Sequence, residues 1–264
     1  MRKLTALALL LMLAPCVAGQ SAPGRRRAAP HRPAAGVEGA AERIIEKFAE
    51  AQGDPQAIRS VRSYVMHGVV EVPELGLHGK VEEYMKRPGK RLMVVSLPGS
   101  RGQFLEGRDG RGGWAQTPFG GALDLDKEGA GAVGEGGGHG RSIRDMFSRL
   151  AFKGRATVAG REANVVEGTP VGGRPEVMYF DAQTGLLVRL DFLQREQGQR
   201  NLPKSVLFEG FARVEGVVLP TVLHQNYDDF TVTIRFYEVK FNVHIEDSLF
   251  ERPKGASADG DSDN

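Results

Sequence analysis

Cysteine is nearly absent. The chain of 264 residues carries one, Cys16, in an apolar stretch near the N-terminus. The remainder therefore has no disulfide, no thiolate metal ligand and no thiol nucleophile. A charge imbalance is missing too. Of the 35 Lys and Arg, Arg2 and Lys3 belong to the leader, which leaves 33 basic against 33 acidic residues. Arg25, Arg26, Arg27 and Arg32 lie in a tail, so residues 36–254 hold 29 basic against 30 acidic groups. A nucleic-acid binder needs a concentrated basic footprint, and this pattern has none. No second apolar run approaches the roughly 20 residues of a membrane span, so nothing after the leader is expected to cross a bilayer.

Sites for chemistry are equally scarce. The six histidines are His31, His67, His78, His139, His224 and His244. None forms H-E-x-x-H or another paired spacing. A site shared by His67 and His78 across the first hairpin would need an adjacent carboxylate, and the simpler reading is strand surface. Gly99-Ser100-Arg101-Gly102 falls one residue short of a nucleophile elbow and reads as a turn. Gly129-Ala130-Gly131-Ala132-Val133-Gly134 matches G-x-G-x-x-G formally. It runs on into Glu135-Gly136-Gly137-Gly138, which no phosphate-binding helix would tolerate. Glu82-Glu83 are neighbours on a strand and point to opposite faces, and Asp228-Asp229 is a turn. Both pairs read as solvated surface. No catalytic residue, cofactor or metal is expected.

What the chain does have begins with a leader. Met1-Arg2-Lys3 is basic, Leu4 to Ala14 is almost wholly apolar, and Cys16-Val17-Ala18-Gly19 is small. That pattern predicts a secretory signal over residues 1–19, cleaved near Ala18–Gly19, and hence a periplasmic or secreted protein. Leu13-Ala14-Pro15-Cys16 resembles a lipobox, although proline suits it poorly. Membrane anchoring through a lipidated Cys16 is the alternative. Residues 20–36 form a low-complexity Arg/Pro/Ala tail and 255–264 an acidic one. The folded domain is expected over 37–254.

Val37, Ala40, Ala41, Ile44, Ile45 and Phe48 predict a helix over 37–52, stopped by Gly53. From residue 61 the period changes to two. Strands are expected at 63–73, 77–87, 91–97, 103–108 and 113–117, then at 154–159, 162–169, 175–181, 186–196, 204–213, 217–227 and 230–243. Between the two runs, residues 120–140 read as a Gly-rich loop, and Ile143, Met146, Phe147 and Leu150 predict a second short helix over 142–152. Short connections imply antiparallel neighbours. The fold class is therefore α+β, one large curved antiparallel sheet with helices segregated from it. In the last strand the apolar phase moves from Phe236 to Val239, which predicts a bulge near Tyr237–Glu238.

The sheet reads as one-sided, and two helices give its apolar face limited cover. One reading is a hydrophobic cavity for an apolar ligand; the other is an ordinary core. The expected cavity wall is Val188, Leu190, Phe192, Phe208, Ile234 and Phe236, with Met146, Phe147 and Leu150 on the second helix as a lid.

Three stretches carry a resemblance: Gly107-Arg-Asp-Gly-Arg-Gly-Gly-Trp114, Tyr179-Phe-Asp-Ala-Gln-Thr-Gly-Leu-Leu-Val-Arg189, and Glu215-Gly-Val-Val-Leu-Pro220 with Phe236-Tyr-Glu-Val-Lys-Phe-Asn242. Over residues 38–253 the chain resembles the LolA-like family of bacterial envelope proteins, often called outer-membrane lipoprotein-sorting proteins. The resemblance implies a half-open β-barrel closed by helices, and a lipid or lipoprotein acyl chain as partner, with a further envelope protein partner left unidentified. It assigns no acyl-contacting residue, because the matched phrases are turns and strands. A structural or interaction module with a self-filled core remains the rival reading, and a hydrolase with a hidden site the second.

Overall fold

The computed structural model describes residues 35–253 except 111, 119, 121, 126–145, 171–173, 196–200 and 228. The expected signal, most of both tails and most of the Gly-rich stretch lie outside the described residues. Helices α1 (Ala35–Ala51) and α2 (Pro55–Ser60) lead into β1 (Ser63–Val72), β2 (Leu77–Lys86), β3 (Lys90–Ser96), β4 (Phe104–Asp109), β5 (Gly113–Gln116) and β6 (Leu123–Leu125). The second run is β7 (Phe147–Val158), β8 (Arg161–Pro170), β9 (Glu176–Asp181), β10 (Leu187–Arg195) and β11 (Asn201–Glu209). The small hairpin β12 (Ala212–Val214) and β13 (Val217–Leu219) follows, then β14 (Val222–Asn226) and β15 (Thr231–Phe241).

Thirteen strands make one antiparallel sheet in the order β6-β5-β4-β3-β2-β1-β15-β14-β11-β10-β9-β8-β7. The last strand lies beside the first, so two meanders join at β1 and β15. The edges are β6 and β7, and among the described residues the sheet does not close on itself. The predicted bulge is present: His67 pairs with Glu238 and Gly68 with Phe236, which leaves Tyr237 as the extra residue and turns it out to solvent.

The inner face of the sheet carries two apolar clusters. One centres on Val70, Val81, Val95, Phe104 and Ile234, and the other on Val166, Met178, Phe180 and Leu190. Helix α1 covers the second cluster. Its Ala41, Ile45 and Phe48 recur at helical spacing and are buried, while Glu46, Lys47 and Glu50 face water. Phe48 meets Phe180 with ring centroids 5.2 Å apart.

Three expectations fail. The second helix is not formed at Phe147 and Leu150, which lie on β7. The helical spacing there comes from a bulge. Phe147 pairs with Pro170, Arg149 with Thr169 and Leu150 with Gly168, so the extra Ser148 puts residues three apart on the same face. Part of the predicted loop, Leu123–Leu125, is likewise a strand. Nor is the sheet one-sided. Val65, Leu92, Val94 and Trp114 form a buried cluster on the outer face, capped by Ile245 and Phe250. The segment after β15 folds back over that face, and the Trp114 indole donates to the Phe250 carbonyl at 3.2 Å.

Candidate functional site

Where the two inner clusters meet, the sheet and its cover form a partly open cavity of about 190 Å³. The floor comes from the middle of the sheet: Tyr64 and Met66 of β1, Phe236 of β15, Leu223 of β14 and Phe208 of β11. The roof is Phe48 and Gln52 at the end of α1, Ile58 of α2, and Val217 and Leu219 of the small hairpin.

Local backbone chemistry ties the roof together. Helix α1 stops at Gly53, whose φ of +111° is open to glycine. Asp54 caps α2, its carboxylate accepting from the Gln56 amide at 2.7 Å with Pro55 in the first turn. The corner between the helices then pairs with the hairpin. The Asp54 amide donates to Gly216 at 3.0 Å and the Val218 amide to Gln52 at 2.7 Å. A Cβ at Gly53 would collide with the Gly216 carbonyl. The roof is therefore one hydrogen-bonded unit built from two distant parts of the chain. On its other side, α1 rests on the β9–β10 turn, where Lys47 Nζ donates to the Ala182 carbonyl at 2.6 Å.

One end of the cavity is polar. Glu83 is buried on the inner face of β2, between Val81 and Met85. It accepts from the Tyr64 hydroxyl at 2.6 Å and from Arg91 Nε at 3.0 Å. All three line the cavity. Burial and then the Glu83 charge push the Tyr64 hydroxyl well above the usual phenol range. Burial works against the Arg91 charge, but Glu83, Tyr64 and Glu106 outweigh it, so the guanidinium stays protonated. The expectation that Glu82-Glu83 is solvated surface fails for Glu83. A signal was available in the strand phase. Val81-Glu83-Met85, Arg91-Met93-Val95 and Phe104-Glu106 each set a charge in the apolar row of its strand, and the register aligns the three rows.

The nine residues expected to form a wall and lid are brought together only in part. Phe208 and Phe236 line the cavity. Leu190, Phe192, Phe147, Leu150 and Met146 belong to the cluster beneath α1, and Ile234 to the cluster on β1 and β15. Val188 packs elsewhere, with Val158, Ala163 and Leu207. The register shift between Leu187 and Arg189 puts Leu187 on the inner face in its place. His67 and His78 do not meet: His67 stands opposite Glu82 and bonds Glu238 at 2.6 Å, while His78 stands opposite Glu71. No group of three or more potential metal ligands occurs among the described residues.

No protein-family model and no curated protein sequence matches the chain. Its fold, in contrast, is shared with solved structures. A DUF1329 family protein from Desulfovibrio piger superposes with a TM-score of 0.55 at 14% identity, over 80% of this chain and 97% of that one. A LolA superfamily protein from Nitrosomonas europaea gives 0.51 at 16%, with the same coverage. A domain described as outer membrane lipoprotein-sorting from Vibrio parahaemolyticus gives 0.51 at 11%, again over 80% and 97%. The chain has the LolA-like fold: a large open antiparallel sheet with few helices.

Proposed function

We propose that this protein is a non-enzymatic carrier of the bacterial envelope that holds an apolar, acyl-type chain in the cavity between sheet and roof. The observation that carries the reading is the cavity itself, apolar along most of its length and covered by a roof whose two halves are joined to each other by backbone hydrogen bonds. An apolar chain placed there gains about 0.8 kcal/mol per buried methylene before ordering costs. The basic, apolar and small-residue zones at the N-terminus support export. No helix among the described residues is long and apolar enough to cross a membrane. The fold supports the reading through its lipoprotein-sorting neighbour.

Native mass spectrometry of the protein purified from its own envelope is the test. The expected result is a bound lipid that dissociates on activation. A bare chain mass, with no saturable uptake of an acyl probe after delipidation, would refute the carrier reading. The interaction-module reading would then take its place. It draws on the large fraction of the inner face filled by the protein's own side chains, with Phe104, Phe180, Met178, Leu190 and Ile234 fully buried.

A further inference from the structure

We infer that the cavity prefers an apolar chain that carries a planar unsaturated ring over one that is saturated throughout. The inference rests on the carrier reading above and adds which part of the ligand the cavity recognises.

Aromatic residues make up 7% of the whole chain but six of the nineteen residues that line the cavity: Phe48, Tyr64, Phe208, Phe211, Phe236 and Phe241. Buried rings gain by offset stacking or edge-to-face packing on other rings, with centroids about 4.5–7 Å apart. Two of the six are already engaged. Phe48 packs on Phe180 at 5.2 Å, and the Tyr64 hydroxyl is held by Glu83. Among the described residues, Phe208, Phe211, Phe236 and Phe241 make no ring–ring contact. The sheet keeps Phe208 and Phe236 apart. Leu223 of β14 stands opposite Phe208 of β11, and Phe236 lies on the other side of β14, where its amide donates to the Thr221 carbonyl at 2.8 Å. On the far flank of Phe236, the paired residue of β1 is Gly68, which has no side chain to lay on the ring. A flat ring resting on Leu223 would meet Phe208 on one side and Phe236 on the other, and supply ring contacts that the protein itself lacks. A saturated chain fills the same space but offers no π face. The volume of about 190 Å³ admits one such ring, since an engineered apolar cavity near 150 Å³ takes benzene.

The test compares three neutral esters: methyl 3-phenylpropanoate, methyl 3-cyclohexylpropanoate and methyl octanoate. The first two differ only in the saturation of the ring. Each is titrated into delipidated protein, and its affinity is divided by its own water-to-alkane partition coefficient, which removes the plain hydrophobic contribution. On that scale the phenyl ester should bind about two- to tenfold tighter than the cyclohexyl ester, the range that one ring–ring contact is worth. It should also move the Phe208 and Phe236 ring-proton resonances through its own ring current, which neither saturated ester has. The double variant Phe208→Leu with Phe236→Leu keeps the lining apolar and should bring the ratio toward one; a ratio that survives it would overturn the inference. Binding of all three esters to wild type in simple proportion to partition would overturn it too, and the carrier reading would stand. If none of the three binds, the carrier reading fails and takes the inference with it. The wild-type comparison decides even if the double variant does not fold.

Discussion

Asp181 opens the β9–β10 turn from a buried position. One carboxylate oxygen accepts from the Gln183 amide at 3.0 Å, the Thr184 amide at 2.7 Å and the Thr184 hydroxyl at 2.9 Å. The other meets Arg161 at 2.7 Å. Burial raises this carboxyl, but the Thr184 donors, Arg161 and the Gln183 amide outweigh it and hold it below the usual range. A depressed folded pKa stabilises the fold above the unfolded value of about 3.9, and the benefit is lost as pH falls through the folded value. Asp181→Ala should cost about 2–4 kcal/mol at neutral pH, because it strips the turn's buried donors. Asp181→Asn should cost less and flatten the acid limb of a melting-temperature profile. An unchanged acid limb would show that Asp181 is not the group responsible. The turn was legible in Asp-x-x-Thr-Gly, since that pattern forms its bonds locally. The role of Glu83 was not, because its partner Arg91 comes from the next strand and the doublet with Glu82 resembles surface. Arg91→Met removes the guanidinium from a buried carboxylate and should cost about 3–5 kcal/mol in urea denaturation. The double change Glu83→Gln with Arg91→Met should cost less than Arg91→Met alone, and a larger loss in the double variant would contradict the pairing.

At the scale of elements, α1 and the long hairpins were readable because their spacing is undisturbed. Bulges decided what was not. At Tyr237 the apolar phase visibly changes within one strand, so the extra residue announces itself. At Ser148 the extra residue mimics a helical turn, and at Val188 it moves an apolar side chain to the other face while preserving the even count. The roof was hidden for a different reason: its parts, residues 52–54 and 216–218, are far apart in sequence and joined by backbone groups that carry no side-chain signature. Gly53 is its hinge point. Gly53→Ala must adopt an unfavourable φ and meets the Gly216 carbonyl, so it should cost about 1–3 kcal/mol. The loss should be local. Amide exchange at Asp54 and Val218, whose N–H groups make the two cross-bonds, should accelerate more than exchange in β1 or β15. Uniform acceleration across the sheet would show that the roof is not a separate unit.

For the whole molecule, the question is how a cavity this small serves a carrier. An engineered apolar cavity near 150 Å³ takes one benzene, so about 190 Å³ accommodates about eight carbons on the same scale. Beside it, the inner face carries the two packed clusters. A longer chain must therefore part the roof, and α2 and the small hairpin, which contain no buried residue, are its less firmly packed portions. Affinity across a series of neutral acyl esters should rise roughly fourfold per methylene, the equivalent of about 0.8 kcal/mol, while the cavity fills. Past about eight carbons the gain per methylene should shrink but persist, because each added group is buried at the cost of parting the small hairpin from the corner between α1 and α2, which the Asp54 and Val218 amides join. From that length on, amide exchange at Asp54 and Val218 should quicken in the complex, whereas shorter esters should slow it by filling the space beneath. Calorimetric titration paired with hydrogen exchange reads both effects on the same samples. A gain that stops abruptly at that length, with roof exchange unchanged, would mean that the roof does not open and that the protein binds small apolar molecules instead of carrying acyl chains.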